Sequence, residues 1–535
     1  MASFQAGRRS LPSDSVKSGG RDVVQYLPKC SSLTIGCSKN SSIGTTIPGN
    51  ACRRIMAGPI DLRCLDRETL IRCTALLPIF RDADAVTGLC ARITASRQSV
   101  TGLTPHTFLN PQRMSSPDLR YLFMLREPFP PFRPDTVTLF AEELRSRGHQ
   151  IDWIFQSKEP LTKSRETSWD GGTAWVVATD RGGGLLPKLR KHLLGLWMDI
   201  GIIARARRRH YDFIQVRDRF FGAITGLVAA KLSRTRFFFW LSFPFPEMYL
   251  YRVESGESPF PWLDRLRGNF LKLVLYRVIM PASDYIFVQS DQMKADIVAN
   301  GVDPDKLMPV PMGISLKRLT AWSAADHPSP GASEVIVLYL GTLVKDRKLE
   351  FLVRVHAKVV EKIPEAKLYF VGGGQCEEDE ERLRSEAIRL GISDSVVFTG
   401  FLPFKTAWQY VDRATVCVSP FYPTPILNST SPTKLVEYMA FAKPVVANDH
   451  PDQRKVIGES GAGYCVAWDE SQFAEAIVKI VNDPVAAREM GRRGKEYVER
   501  HRSYEAIAES LDQVYRALCG DEGSTRKDLL RRDEQ

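Results

Sequence analysis

Short apolar runs alternate with helical stretches between Val335 and Val446, and this alternation constrains the fold more than any other feature of the chain. Val335–Leu340, Lys367–Val371, Val396–Thr399, Thr415–Ser419 and Pro444–Ala447 are predicted strands. Helical spacing fills the intervals near 349–362, 377–390, 403–413 and 432–442. Strand, helix and strand in succession imply a parallel sheet, because each crossover must carry the chain back before the next strand can pair. The same grammar begins at Tyr121. Tyr121–Leu125 is an apolar run; Val137, Phe140, Ala141 and Leu144 then recur at helical spacing, Gly148 stops the helix, and Gln150–Phe155 follows as a strand. Trp175–Ala178, Phe213–Val216, Phe237–Leu241 and Ile286–Gln289 are further strand candidates. The expectation is two α/β domains in series, joined near Val310-Pro311-Met312-Gly313, with helical patterns from Glu470 to Leu518 closing the chain.

At 535 residues the chain exceeds one ordinary core, which agrees with two domains plus extra segments. The net charge of +11 would suggest nucleic acid, but residues 1–115 hold 15 Lys/Arg against 7 Asp/Glu and so carry +8 of it. None of the common nucleic-acid-binding motifs is present, and no nucleic-acid partner is expected. Six of the ten cysteines also precede residue 116, without a Cys-x-x-Cys pair or a His at zinc-finger spacing. Cys376, Cys417, Cys465 and Cys519 are isolated among apolar or helical stretches and read as buried thiols in a reducing compartment. The leader, 1–116, is rich in Ser, Arg, Gly and Thr without sustained periodicity, and is expected to hold little structure. A targeting segment, an extra module and an over-extended start (Met114 stands just before the first strand) are its three readings; the last is favoured. No apolar run reaches membrane-spanning length and no secretory signal opens the chain, so the expected location is cytoplasmic.

In a parallel α/β sheet, ligands bind at the carboxyl ends of the strands. Three loops of the second domain reach that edge. Gly341-Thr342-Leu343-Val344-Lys345-Asp346-Arg347-Lys348 combines a glycine that admits close backbone approach with three cations. Gly372-Gly373-Gly374, a weak signal alone, follows the next strand. Ser431-Pro432-Thr433-Lys434 reads as a helix start with Ser431 as N-cap, offering free N–H groups and a cation to an anion. Glu437 lies one turn further, where its carboxylate could accept two ribose hydroxyls. An ordinary surface Lys–Glu pair is the plainer alternative, but it leaves the convergence of three such loops to coincidence.

These residues resemble glycosyltransferase family 4, over roughly residues 119–518. The resemblance is carried by Leu340-Gly341-Thr342-Leu343, Val397-Phe398-Thr399-Gly400, Pro432-Thr433-Lys434-Leu435-Val436-Glu437-Tyr438-Met439-Ala440 and Lys443-Pro444-Val445-Val446. Ala282-Ser283-Asp284-Tyr285-Ile286-Phe287-Val288-Gln289-Ser290 and Val310-Pro311-Met312-Gly313-Ile314 add to it. It implies the GT-B fold: a Rossmann-like acceptor domain over 117–312, a donor domain over 313–503, a closing helix at 504–519 and a charged tail at 520–535. It further implies a retaining hexosyltransferase using a nucleotide sugar, with no cofactor and no metal. Arg347 would grip the donor diphosphate, Ser431, Thr433 and Lys434 would cradle the phosphates, Glu437 would hold the ribose, and the backbone near Phe401 and Leu402 would face the base. Gly341, Thr342 and Gly373 complete the expected donor site; Arg347 and Lys434 are the expected catalytic residues, stabilising charge on a leaving diphosphate that itself accepts the acceptor proton.

Two positions depart from the family pattern. Ser429 stands where the first carboxylate of a paired motif is expected, and the stretch Phe237–Glu247 lacks the His that many members place there. Ser242, Glu247 and Ser429 are the candidates for sugar or acceptor contact in their stead. A silent glycosyltransferase-like subunit and a GT-B sugar-nucleotide epimerase are the rival readings, the latter lacking an evident acid–base pair. His149 and His450 read as bystanders, and Asp303-Pro304-Asp305 as a turn rather than a metal motif. Basic residues at Lys188–His192 and Arg205–Arg209 bracket an apolar stretch, Leu193 to Ile203, and Phe260–Tyr276 mixes aromatic and basic residues. Both suit a membrane surface and a glycan or lipid-linked acceptor in polysaccharide or glycolipid synthesis, peripheral to the cytoplasmic face. A buried helix with solvated ends is the equal alternative for the first.

Overall fold

The computed structural model of the chain describes residues 118–158, 164–177, 208–322 and 334–520, with residues 200, 201 and 204 between them. The leader, the tail after Gly520 and, apart from those three positions, the apolar stretch from Leu193 lie outside the described residues.

Two sheets form the frame. The first holds eight strands: β1 (Arg120–Phe129), β2 (Gln150–Ser157), β3 (Arg165–Trp169), β4 (Gly172–Val177), β5 (Phe213–Arg217), β6 (Arg236–Leu241), β7 (Tyr285–Val288) and β8 (Leu307–Pro309). Their spatial order is β3-β4-β2-β1-β5-β6-β7-β8. All neighbours pair in parallel except β3 with β4, an antiparallel edge hairpin. The second sheet holds β9 (Val335–Leu340), β10 (Ala366–Val371), β11 (Val396–Phe398), β12 (Val416–Ser419), β13 (Val445–Asn448) and β14 (Gly463–Val466), in the order β11-β10-β9-β12-β13-β14 and parallel throughout.

Helices cover both faces of each sheet, which is why the strands read as continuous apolar runs rather than alternating ones. Tyr121 and Phe123 point into one core of the first sheet while Leu122 and Met124 point into the other. Val337 and Tyr339, against Ile336 and Leu338, divide the second sheet in the same way. Among the described residues no helix is long and apolar enough to cross a membrane.

Nine helices matter below: α1 (Asp135–Leu144, π-wound), α2 (Phe220–Ser233), α3 (Phe245–Glu254), α4 (Pro261–Val274), α5 (Asp291–Ala299), α6 (Glu377–Arg389), α7 (Thr433–Ala440), α8 (Pro451–Ser460) and α9 (Tyr504–Cys519). The last of these returns to the first sheet. Its Tyr504, Ile507, Leu511, Tyr515 and Leu518 fill a core with Tyr121, Phe213, Phe238 and Phe287, and the Tyr515 hydroxyl donates to buried Gln215 over 2.6 Å. The chain thus crosses between the sheets twice at one place, where Ile314 N–H donates to the Arg502 carbonyl and Tyr504 N–H to the Ile314 carbonyl.

Strand order reverses direction beside β1 in the first sheet, between β1 and β5, and beside β9 in the second, between β9 and β12. At such points successive crossovers leave toward opposite faces and open a crevice at the carboxyl edge.

Candidate active site

The second crevice is assembled from residues that leave β9 and β12. Gly341 has φ +147°, and a Cβ there would lie 2.9 Å from Lys434 Nζ. Gly372, φ +136°, ends β10, and its absent side chain leaves room for the Gly341 carbonyl. Two glycines thus let two strand ends and one lysine occupy the same space. Gly341 N–H donates to the Val371 carbonyl and Leu343 N–H to that of Gly373, locking the loops side by side.

Lys434 crosses from the first turn of α7 to the β9 end. Its Nζ donates to the Tyr339 hydroxyl over 2.7 Å and lies 4.3 Å from that ring's centre and 5.5 Å from that of Phe421. Arg347 lies 5.1 Å from the centre of the same Phe421 ring, with a buried Nη1 that no described group accepts from. Burial first, and Arg347 second, push the Lys434 ammonium well below its ordinary range. Burial raises the Glu437 carboxyl to about 7, against the pull of Lys434. A guanidinium, an amine whose charged form burial disfavours and a carboxyl raised toward neutrality therefore share one crevice, an arrangement that favours an incoming anion.

The helix start is built differently from expectation. Pro432, not Ser431, is the N-cap of α7, and no side chain caps it. Ser431 is drawn away by tertiary partners: its hydroxyl accepts from Met312 N–H and donates to Asp452, which also holds buried Arg502 at 2.6 Å. Thr433 opens the helix, so its first-turn N–H groups lack an internal acceptor and stay available to a ligand.

Beyond Gly373 the crevice widens into a cavity of about 440 Å³, lined by Gly373, Gly374, Gln375, Arg384, Gly400 and Phe401 among others. Phe401 is 69% exposed and lies over Gly373, whereas Leu402 tucks beside the core. Asp379, at the start of α6, accepts from Lys345 N–H and Gln375 N–H and so ties the Arg347 loop to the glycine loop. Thr342 is exposed at the entrance, its carbonyl taken by Tyr339.

The three candidates for sugar or acceptor contact are held by different partners, Glu247 and Ser429 being linked through Tyr276 and Asp296. The Ser429 hydroxyl donates to Asp296 on α5, and its carbonyl accepts from Ser290 over 2.7 Å, so this residue bridges the two sheet domains. Glu247, on α3, accepts from Tyr276 over 2.9 Å and keeps a buried Oε2 without a partner. Ser242 alone lines the first crevice, a cavity of about 420 Å³ shared with Arg126, Arg133, Asp218, Phe243, Phe245 and Gln289. Sequence reasoning missed those neighbours. Asp218 ends β5 in a left-handed conformation, φ +55°, and accepts from both the backbone and the hydroxyl of Ser242. Glu127 holds the loop after β1 by accepting from Phe132 and Arg133 N–H and the Thr136 hydroxyl.

Both histidines are structural. His149 pairs with Asp512 on α9 at 2.6 Å, and His450 meets the Leu427 carbonyl at 2.8 Å. Asp303 accepts from Asp305 N–H as a turn. Among the described residues no group of three or more His, Cys, Asp or Glu is placed to hold a metal ion.

With this geometry in view, residues 135–318 match the family described as Glycosyltransferase Family 4, and residues 334–483 the one described as Glycosyl transferases group 1. The chain is 27% identical over 292 residues to alpha-maltose-1-phosphate synthase of Mycolicibacterium smegmatis, spanning 50% of this chain and 72% of that protein. It is 29% identical over 213 residues to the phosphatidyl-myo-inositol mannosyltransferase of Mycobacterium leprae, spanning 39% of this chain and 53% of the relative. Sucrose-phosphate synthase from Thermosynechococcus elongatus has a similar fold, with a TM-score of 0.57 at 22% identity over 75% of this chain and 99% of that one. Anabaena HepE in complex with UDP-glucose aligns with a TM-score of 0.52 at 13% identity, over 75% of this chain and 100% of that one.

Proposed function

This chain is a family 4-like glycosyltransferase of the GT-B fold, and we propose that it moves a hexosyl group from a nucleoside diphosphate sugar to a glycan or lipid-linked acceptor, with retention of configuration. The observation that carries the donor assignment is the convergence of Arg347, Lys434 and the uncapped start of α7 on one crevice, where the Glu437 carboxyl is raised toward neutrality and offsets little of their charge. A diphosphate supplies an anion to match. The base then occupies the cavity beside Phe401, and the ribose hydroxyls donate to Glu437. The acceptor enters the cavity at the β1–β5 end, lined by Ser242 and Asp218.

In this mechanism the C1–O bond to the diphosphate breaks as the acceptor oxygen attacks from the same face, and the leaving oxygen takes the acceptor proton. The protein's task is to meet the charge that develops on the diphosphate, which Arg347, Lys434 and the α7 N–H groups do without reorganisation. The relatives' names support both a sugar and a lipid acceptor, one being a synthase of a maltose phosphate and the other a mannosyltransferase of phosphatidyl-myo-inositol. Work at the cytoplasmic membrane face, without a metal, belongs to the same proposal.

Titrating the purified chain with a panel of nucleoside diphosphate sugars tests it. Arg347→Ala and Glu437→Ala are each expected to weaken binding of the preferred donor by roughly tenfold or more. Unchanged binding in both would sink the site, and binding without transfer to any glycan or lipid acceptor would sink the activity.

Glu437 adds a pH dependence. Its folded carboxyl titrates near 7, above the ordinary value, so protons favour the empty fold and that contribution is lost as pH rises through 7. Ribose needs the ionised form. Donor affinity is therefore expected to fall roughly tenfold from about pH 8 to about pH 6, and the Glu437→Gln profile to be flat. A wild-type profile that is itself flat removes Glu437 from the ribose site.

A further inference from the structure

Helix α4 faces the wrong way for a soluble protein. At 100° per residue, Trp262, Leu263, Leu266, Phe270 and Leu273 fall within one arc of about 100°. All five are exposed, Trp262 by 72% and Leu266 by 61%. The helix's single fully buried residue, Gly268, lies opposite that arc, pressed against Leu250 of α3. The apolar face of this amphipathic helix is thus turned outward while its narrow glycine edge holds it to the protein.

A second helix repeats the pattern beside it. Helix α2 packs against Leu275–Ile279, the direct continuation of α4. On α2, Phe221, Ile224, Val228 and Leu232 share one face, and all are exposed. Isolated apolar residues on a surface are ordinary; two adjacent helices with continuous apolar stripes are not.

The charges around the stripes indicate what covers them. Lys231 and Arg234 flank the α2 stripe, Arg265 and Arg267 border that of α4, and Arg277 extends it, all exposed. Residues 220–235 contain no acid, and residues 261–279 contain only Asp264, which already accepts from Ser258 over 2.7 Å. Glu254 and Glu257 stand apart, at the end of α3 and in the turn before α4. Aromatic and leucine side chains bordered by arginine and lysine suit a bilayer with anionic headgroups: the rings and leucines enter the acyl boundary and the cations stay among the phosphates.

The geometry points to α4 and α2 as a membrane-docking face that lies flat on an anionic lipid surface. It rests on the proposed glycosyl transfer only for its purpose, that of bringing the first-sheet crevice to a lipid-linked acceptor. The binding itself is independent of that reading.

Sedimentation of the full chain with vesicles tests it. With phosphatidylcholine and phosphatidylglycerol at roughly 3:1 the protein should pellet, and with phosphatidylcholine alone it should stay largely in solution. Leu266→Glu with Phe270→Glu is expected to lower the vesicle-bound fraction roughly tenfold. Arg265→Glu with Arg267→Glu should remove the preference for the anionic lipid. All four side chains are exposed and outside the donor crevice, so nucleotide-sugar binding should persist in both variants and certifies their folding. A wild-type protein that ignores both vesicles overturns the proposal, as does vesicle binding that survives Leu266→Glu with Phe270→Glu. A concentration-dependent dimer abolished by that pair would assign the face to a second copy instead. Failure of wild-type donor binding would overturn the transfer reading while leaving the vesicle result standing.

Discussion

Replacing Lys434 by methionine should lower the transfer rate by about 10²–10³-fold while leaving the empty protein more stable than wild type. The two effects have one origin. Burial beside Arg347 holds the Lys434 ammonium well below its ordinary range, so the folded state resists the proton that an unfolded lysine keeps. Near neutral pH that mismatch costs stability, and the cost shrinks as pH rises toward the ordinary lysine range. Methionine matches the length of the stem, sits against Tyr339 and Phe421, and removes the charge. Tyr339 is not left without a partner, because its hydroxyl donates to the Thr342 carbonyl over 3.2 Å. Only part of the cost is recoverable, about 1 kcal/mol, or a rise of about 2 °C in thermal midpoint. Calorimetry and an initial-rate assay check the two halves separately. Transfer near the wild-type rate would remove Lys434 from the chemistry, and a lowered midpoint would show that its charge is already balanced.

The second large effect lies in the first sheet domain. Asp135 is buried at the start of α1 and accepts from Arg217 Nη2 at 2.5 Å, from Arg133 at 3.3 Å and from Thr136 N–H at 2.9 Å. Although burial opposes ionisation, the two guanidinium groups hold its carboxyl far below the ordinary range. Arg217 is only 2% exposed, and its Nε and Nη1 have no other hydrogen-bond partner. Asp135→Ala leaves that cation with only the longer contact to Asp218, 3.8 Å from its Nε, and the expected loss is about 3 kcal/mol, read as a lowered urea midpoint. The double variant Asp135→Ala with Arg217→Met should recover much of it, since removing both charges also removes their desolvation. Equal losses in the single and double variants would mean that Asp135 acts through the helix start rather than through Arg217.

Much of the frame was legible in the sequence because parallel strands buried on both faces must be apolar along their whole length. Tyr121–Leu125, Phe237–Leu241 and Val335–Leu340 announced themselves in that way. The strands that escaped notice lie at the sheet edges, where this requirement lapses: Arg165–Trp169 is mostly polar and antiparallel, and Leu307–Pro309 and Gly463–Val466 are very short. The crevice of the second sheet was legible for a related reason. Its loops follow strands directly, so chain order fixes their place, and Gly341, Arg347, Lys434 and Glu437 do share one crevice. The other crevice was not. Asp218 reaches Ser242 from 24 residues away and through a left-handed backbone that its residue type does not require. Ser431 shows the same limit within a motif. It has the residue type and position of an N-cap, yet Met312, Asp452 and Arg502, distant in sequence, claim its hydroxyl.

The paired crossing at Ile314 and Arg502–Tyr504 has a consequence for how such a chain can be rebuilt. In spatial terms residues 315–503 are an insertion within the first domain, since the two points between which they leave and return are hydrogen-bonded neighbours. A different second-sheet cassette could be spliced between those points without lengthening any connection. A graft that instead runs on through α9 would strip that helix from the first sheet and expose Phe213, Phe238 and Tyr121. Exchange of the second sheet in this architecture is therefore an operation on an internal segment, and α9 travels with the first sheet.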